Sequence, residues 1–232
     1  MIETKNLCFR YEEKFALRNI NLKIEKVSFT AIIGANGSGK TTLAKHFNAL
    51  LLPSKGEVII DGVSTKTDQS NARKKVGFIF QNPEDQLVHS IVREDLAFGL
   101  ENLGYDERRI KHTVDETLSK LKISHLADEN VNNLSAGQKQ LAALAGVLAM
   151  NPDAIALDEP TTLLDSRNKK NIIDILKHLN KKEGKTIILI TNLLDDLKYC
   201  DDAVILKEGR VIFDGKRNKI GKNLLRKAGL DD

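Results

Sequence analysis

Residues 34–42 read Gly34-Ala35-Asn36-Gly37-Ser38-Gly39-Lys40-Thr41-Thr42. They follow directly on the apolar run Phe29-Thr30-Ala31-Ile32-Ile33 and lead directly into Leu43-Ala44-Lys45-His46-Phe47-Asn48-Ala49-Leu50, a helix-like stretch. Strand, glycine-rich loop and helix in that order are the context in which G-x-x-x-x-G-K-[ST] signals a phosphate cradle. The cause lies in the backbone: the three glycines admit conformations that a Cβ obstructs, so successive N–H groups converge on one anion. The positive end of the following helix adds to the attraction. On this reading Lys40 neutralises the β- and γ-phosphates and the Thr41 hydroxyl is a Mg²⁺ ligand, with Asn36, Ser38 and Thr42 completing the loop.

The chain has 232 residues, a length that fits one large α/β unit, or one carrying a subdomain, better than two domains of equal rank. Its 36 Lys and Arg against 32 Asp and Glu leave a formal charge of only +4, spread along the chain, so no nucleic-acid stripe stands out. Cys8 and Cys200 lie far apart, with neither disulfide-framework nor metal-ligand spacing, which fits a reducing cytosol. The start Met1-Ile2-Glu3-Thr4-Lys5-Asn6 has no apolar leader core, and stretches such as Leu141 to Met150 fall far short of the roughly 20 residues that span a bilayer. The expectation is a chain that is neither secreted nor membrane-spanning and that reaches a membrane through a partner.

Short β-type runs alternate with helical ones along the chain, the pattern of a mostly parallel sheet covered on both faces. Ile2 to Arg10 and Leu17 to Ile24 read as antiparallel strands joined by a turn at Glu12-Glu13-Lys14, and Gly56 to Gly62 and Val76 to Phe80 read as further strands. From about Pro83 to Met150 the character is helical, with Ile110, Val114, Leu118 and Leu121 recurring on one face. Strands return at Ala154 to Leu157, Thr186 to Thr191 and Ala203 to Leu206, and Glu208-Gly209 turns the chain into Arg210 to Phe213.

A second chemical feature is Ala154-Ile155-Ala156-Leu157-Asp158-Glu159-Pro160. A buried strand ending in two carboxylates places the first at the sheet's carboxyl edge, where open α/β sheets bind ligands. Asp158 suits the Mg²⁺ shell, since a hard cation takes oxygen ligands. Glu159 is then placed to orient or deprotonate an attacking water. A third feature is Leu134-Ser135-Ala136-Gly137-Gln138-Lys139-Gln140, ahead of an Ala- and Leu-rich helix. Ser135 suits an N-cap, and with Gly137 and Gln138 it makes a second helix end suited to an anion.

Over essentially its whole length the chain resembles an ATP-binding cassette (ABC) ATPase subunit. Leu134 to Gln138 is similar to the family signature Leu-Ser-Gly-Gly-Gln, with Ala136 at the first Gly. The resemblance implies an α/β P-loop NTPase fold, with a RecA-like core sheet, antiparallel N-terminal strands and an inserted α-helical subdomain. It implies a single ABC ATPase domain, with core at 1–82 and 152–217, helical subdomain at 83–151 and a short tail at 218–232. It implies ATP and Mg²⁺ as ligands, and makes Tyr11 the aromatic that stacks on adenine and Gln81 the residue that senses γ-phosphate and Mg²⁺. Leu164-Asp165 matches the loop that crosses between subunits. By the same resemblance two cassettes pair head to tail, as a homo- or heterodimer. Each ATP then lies between the P-loop of one and Ser135, Gly137 and Gln138 of the other, so that binding favours the closed pair and hydrolysis releases it.

The stretch Phe80-Gln81-Asn82-Pro83-Glu84-Asp85-Gln86-Leu87, with Glu94 to Gly99 and Asn102-Leu103-Gly104, is similar to the ATPases of energy-coupling-factor importers, including the cobalt and nickel group. That likeness implies a membrane coupling protein and a substrate-capturing membrane protein as partners, vitamins or transition-metal ions as cargo, and a place on the cytoplasmic face of the cell membrane. One residue departs from the family. Where it places a histidine after the strand Thr186 to Thr191, this chain has Asn192, which hydrogen-bonds a phosphate but carries no positive charge. Weakened hydrolysis at this chain's own site is the expectation. The alternatives are a soluble ABC ATPase outside transport and a degenerate regulatory nucleotide-binding subunit.

Overall fold

The computed structural model describes residues 1–230, so Asp231 and Asp232, the end of the expected tail, lie outside the described residues. Strands β1 (Ile2–Tyr11) and β2 (Lys14–Ile24) form a hairpin, β3 (Phe29–Ile33) runs into α1 (Lys40–Phe47), and β4 (Lys55–Ile60) and β5 (Val63–Ser64) follow. Next come α2 (Gln69–Lys75), β6 (Val76–Ile79), and the helices α3 (Val92–Asn102), α4 (Glu107–Lys120) and α5 (Ala136–Ala149). Then β7 (Ala154–Asp158), α6 (Ser166–Glu183), β8 (Thr186–Thr191), β9 (Asp202–Lys207), β10 (Arg210–Lys216) and α7 (Lys222–Ala228) complete the chain. No described helix is long and apolar enough to cross a membrane.

By their internal contacts the described residues fall into two compact units, the first comprising 1–78, 153–159 and 177–230 and the second 79–152 and 160–176. The expected boundaries differ from these. Residues 160–176 lie within the expected core segment 152–217, and the first half of α6 groups with the helical unit. Its Asn168 side chain lies so close to Gly137 that a Cβ there would come within 2.7 Å of it.

Two sheets form the first unit. One has the order β2-β1-β4-β5, antiparallel throughout where pairing is recorded. The other has the order β10-β9-β3-β8-β7-β6, with β9, β3, β8 and β7 parallel and β10 antiparallel at the edge. Every residue of β3, β7 and β8 is buried. Continuous apolar runs are what a parallel strand covered on both faces requires. Helix α1 touches β2 and β4 of one sheet and β7 and β8 of the other, and buries Leu43, Ala44, His46 and Phe47 there. Fully burying a side chain such as Leu43 or Phe47 contributes about 1.5–3 kcal/mol.

Parallel register then decides where the chemistry falls. Ile33 pairs with Thr191, and Asp158 pairs with Ile190. The three loops that follow β3, β7 and β8 therefore leave the sheet side by side at one edge. The second unit packs α3, α4 and α5 on one another, burying Val92, Leu96 and Leu100 with Val114, Leu118 and Leu121 and with Leu141, Leu144 and Leu148. Strand β6 stops at Ile79, short of the expected Phe80, because the Phe80 N–H turns to the Gln86 side chain at 3.2 Å. Strand β2 starts earlier than expected: its exposed first residues pair with β1, Lys14 with Tyr11 and Phe15 with Arg10, without an apolar pattern to announce them.

Candidate nucleotide site

The loop between β3 and α1 is shaped by contacts that its sequence dictates. A Cβ at Gly34 would sit 2.4 Å from the Leu206 carbonyl oxygen and 2.5 Å from Ser38 Oγ, so no side chain fits there. Gly39 caps α1 at φ 102, a left-handed conformation that glycine adopts without strain. The helix has no side-chain cap and no acidic residue in its first turn. The N–H groups of a first turn lack partners within the helix, and none is supplied by a cap here. Ser38 Oγ is buried without a hydrogen-bond partner. Lys40 is 5% exposed, and its Nζ donates to the Gly34 and Ala35 carbonyls at 2.8 and 3.2 Å. Burial lowers its pKa, with the charges of Glu159 and Asp158 opposing that shift. An orphaned hydroxyl, an uncapped helix end and a buried ammonium at one loop are a fit for a polyphosphate.

The Thr41 hydroxyl donates to Asp158 Oδ1 at 3.0 Å. Asp158, 4% exposed at the end of β7, has its carboxyl pKa raised, first by burial and then by the Glu159 charge; the Thr41 hydrogen bond, Lys45 and Lys40 pull the other way. Among the described residues no group of three or more His, Cys, Asp or Glu side chains is placed to hold a metal by itself. Thr41 and Asp158 are instead a pair of hard oxygen donors that fits Mg²⁺ shared with phosphate oxygens, the way this ion is commonly bound. Glu159 follows with φ 46 and its N–H on the Ile190 carbonyl at 2.9 Å. A left-handed backbone is costly for a residue with a side chain, by about 1–2 kcal/mol, and it turns the chain sharply where the sheet ends.

Asn192 leaves β8 on the same edge. Its amide Nδ2 donates to Asn36 Oδ1 of the phosphate loop at 3.4 Å, while its Oδ1 is buried without a partner. Tyr11, at the end of β1, is 51% exposed and rests edge-on against Phe9, ring centroids 4.9 Å apart at 88°. The first unit thus brings together Lys40, Thr41, Asp158, Glu159 and Asn192.

Gln81, Ser135, Gly137 and Gln138 belong to the second unit, with Leu164 and Asp165. Ser135 caps α5 in a reciprocal box: the Ser135 N–H donates to Gln138 Oε1 at 2.8 Å and the Gln138 N–H to Ser135 Oγ at 3.4 Å. The S-x-x-Q spacing is the sequence signal of that box. Asp165 accepts from the N–H groups of Arg167 and Asn168 and from Asn168 Nδ2, which holds the Asn168 side chain beneath Gly137. Two residues have no motif to reveal them in the sequence, Asn168 and the buried His46 of α1. A cleft of about 780 Å³ lies beside Ser28, Thr30 and Asp202, away from the phosphate loop. Three of its ion pairs are internal, Lys23 with Glu25, Lys181 with Asp201 and Lys216 with Asp202. It lacks the glycine-rich turn of the phosphate loop.

Residues 17–162 match the model of the ABC transporter family. The chain belongs to that family, whose members are ATPases that use ATP with Mg²⁺. Among curated relatives, it is 44% identical to the energy-coupling factor transporter ATP-binding protein EcfA1 of Clostridium novyi, over 100% of this chain and 86% of that one. It is 43% identical to the protein of the same name from Caldanaerobacter subterraneus, over 100% and 87%. Among solved structures, CbiO1 of Clostridium perfringens, described as part of the ABC transporter complex CbiONQ, superposes with TM-score 0.86 at 37% identity, covering 99% of this chain and 94% of that one. The cassette MJ0796, in a dimeric post-hydrolysis state bound to ADP and Pi, superposes with TM-score 0.84 at 31% identity, covering 95% and 100%.

Proposed function

We propose that this chain is the ATP-binding and ATP-hydrolysing subunit of an energy-coupling-factor importer of vitamins or transition-metal ions, held on the cytoplasmic face of the cell membrane by its partners. Those partners are a second cassette, identical or not, a membrane coupling protein and a substrate-capturing membrane protein. The observation that carries the reading is the Thr41–Asp158 hydrogen bond of 3.0 Å beside the uncapped end of α1, which assembles oxygen donors and a polyphosphate cradle at one sheet edge. The names of the relatives at 44% and 43% identity support the importer class.

In this reading Gly34 to Thr42 hold the phosphates, Lys40 moves from the loop carbonyls to the β- and γ-oxygens, and Tyr11 carries the base. Thr41 and Asp158 would hold Mg²⁺, which when bound neutralises charge on the phosphate oxygens. Glu159 orients the attacking water in line with the γ-phosphate, because phosphoryl transfer asks for positioning more than for covalent chemistry. Ser135, Gly137 and Gln138 present the capped end of α5 to the nucleotide on the second cassette. ATP is then part of the interface and biases the pair toward closure by its contacts on both sides.

Asn192 makes the chain a slow hydrolase. Its amide carries no charge to the γ-phosphate, and one of its donors already serves Asn36. The observation also favours a second reading, a regulatory subunit that binds ATP and times a more active partner. Steady-state turnover with and without Asn192→His, in the same cassette pair, tests this. The expected result is a rise of about 10²-fold with little change in ATP affinity, by comparison with other lost transition-state contacts. Equal rates dismiss the role given to residue 192, and a chain with no affinity for Mg-ATP in direct titration dismisses the whole reading.

A further inference from the structure

His46 is fully buried in the last turn of α1 and takes no part in the chemistry above. Its Nδ1 lies 2.7 Å from the Thr42 carbonyl, which only accepts, so the ring carries its proton on Nδ1. The Leu52 backbone also forms a hydrogen bond that supports the protonated form of the ring, and Nε2 has no other partner. Burial pushes the pKa down to about 4, so the ring is neutral at physiological pH. A polar ring in a fully buried site calls for a geometric reason.

The reason is what the ring touches. Phe9 packs against it in an edge-to-face arrangement, centroids 4.8 Å apart at 76°. On the same face of β1, Tyr11 packs edge-on against Phe9, centroids 4.9 Å apart at 88°. The Nδ1–H bond pins the histidine ring to the helix whose first turn holds the phosphate loop. An unbroken series of contacts therefore runs from α1, through His46 and Phe9, to the exposed Tyr11 ring.

We propose that His46 is a positioning residue for base recognition: through Phe9 it sets the Tyr11 ring at a fixed place relative to α1, so that a purine base and its phosphates are read as one unit. This rests on the assignment of Tyr11 as the base platform. Direct titration of the whole chain with Mg-ATP and, separately, with Mg-tripolyphosphate, which has no base, tests it. Phe9→Leu and His46→Leu are each expected to weaken Mg-ATP binding by about 3- to 10-fold and to leave tripolyphosphate within about twofold, the scale of one lost aromatic pair. The two together weaken it no more than either alone. His46→Phe, which keeps a ring against Phe9, recovers at least half of the loss. Affinities for ATP and tripolyphosphate that fall in parallel overturn the proposal in favour of simple support of α1, and unchanged ATP binding overturns it as well. If His46→Leu does not fold, the half-buried position of Phe9 carries the same test. A Tyr11→Ala chain with an unchanged ratio of ATP to tripolyphosphate affinity overturns the platform assignment itself.

Discussion

Two helix ends in this chain, those of α1 and α5, are the ones proposed to meet nucleotide, and they are built in opposite ways. Helix α1 starts at Gly39 with no side-chain cap, no acid in its first turn and a buried ammonium beside it. Helix α5 starts at Ser135 with both halves of a capping box in place. A helix end without a side-chain cap leaves its first N–H groups to water or to a ligand, and at α1 the buried ammonium beside it favours an anion there. A helix end that caps itself is stable alone and offers only its remaining N–H groups. In the proposed function the first is the site of primary binding and the second a surface for a nucleotide bound to the other cassette.

The comparison is broken most sharply at Lys40. Lys40→Ala is expected to weaken Mg-ATP binding to the isolated chain by about 10- to 100-fold, the scale of charge-assisted hydrogen bonds lost from a buried site. Ser135→Ala in the same titration is expected to stay within about twofold of the native value. Similar losses in the two variants erase the distinction between the two ends.

Asp158 sharpens it through stability. Its folded-state pKa lies above the ordinary carboxylate value, chiefly because burial penalises the ionised form. The penalty is present at pH above the folded value and disappears as pH falls below the unfolded one. In metal-free protein Asp158→Asn is therefore expected to raise the melting temperature at pH 7 by about 2–4 °C, the shift that about 1 kcal/mol produces at this chain length. The gain fades in acid. A gain of equal size at all pH values contradicts this account.

The smallest effect belongs to the self-capped end. Ser135→Ala removes one half of the box and is expected to lower unfolding free energy by about 1 kcal/mol in urea titration, without altering the pH dependence that Asp158 produces. No loss means that the Gln138 half suffices.

Much of this arrangement was legible in the residue order. The apolar run Thr186 to Thr191 is β8 with the bounds read from the sequence, because a strand buried on both faces writes itself as unbroken hydrophobicity. Val114 and Leu118 on α4 and Leu121 at its C-cap are buried as their spacing implied, while Ile110 is only partly covered. The motifs around Lys40 and Asp158 meet because β3, β8 and β7 are adjacent and parallel, and strand order is a property of long-range pairing that no local pattern states. The same holds for the division of the β-structure into two sheets and for the passage of residues 160–176 to the helical unit. Glu159 reads as one of two acids in a row, and nothing in the order of residues announces its left-handed backbone. His46 reads as one polar residue on a helix, since its significance lies in Phe9, a partner on another strand.

The position of β3 in its sheet has a consequence for a chain still being made. β3 covers residues 29–33, yet its two neighbours are β8 and β9, which end at Thr191 and Lys207. Sequence-distant pairing of this kind forms late and slowly. On the ribosome, the β1–β2 hairpin closes soon after it emerges. The loop between β3 and α1 therefore lacks its complete sheet until most of the polypeptide has been synthesised.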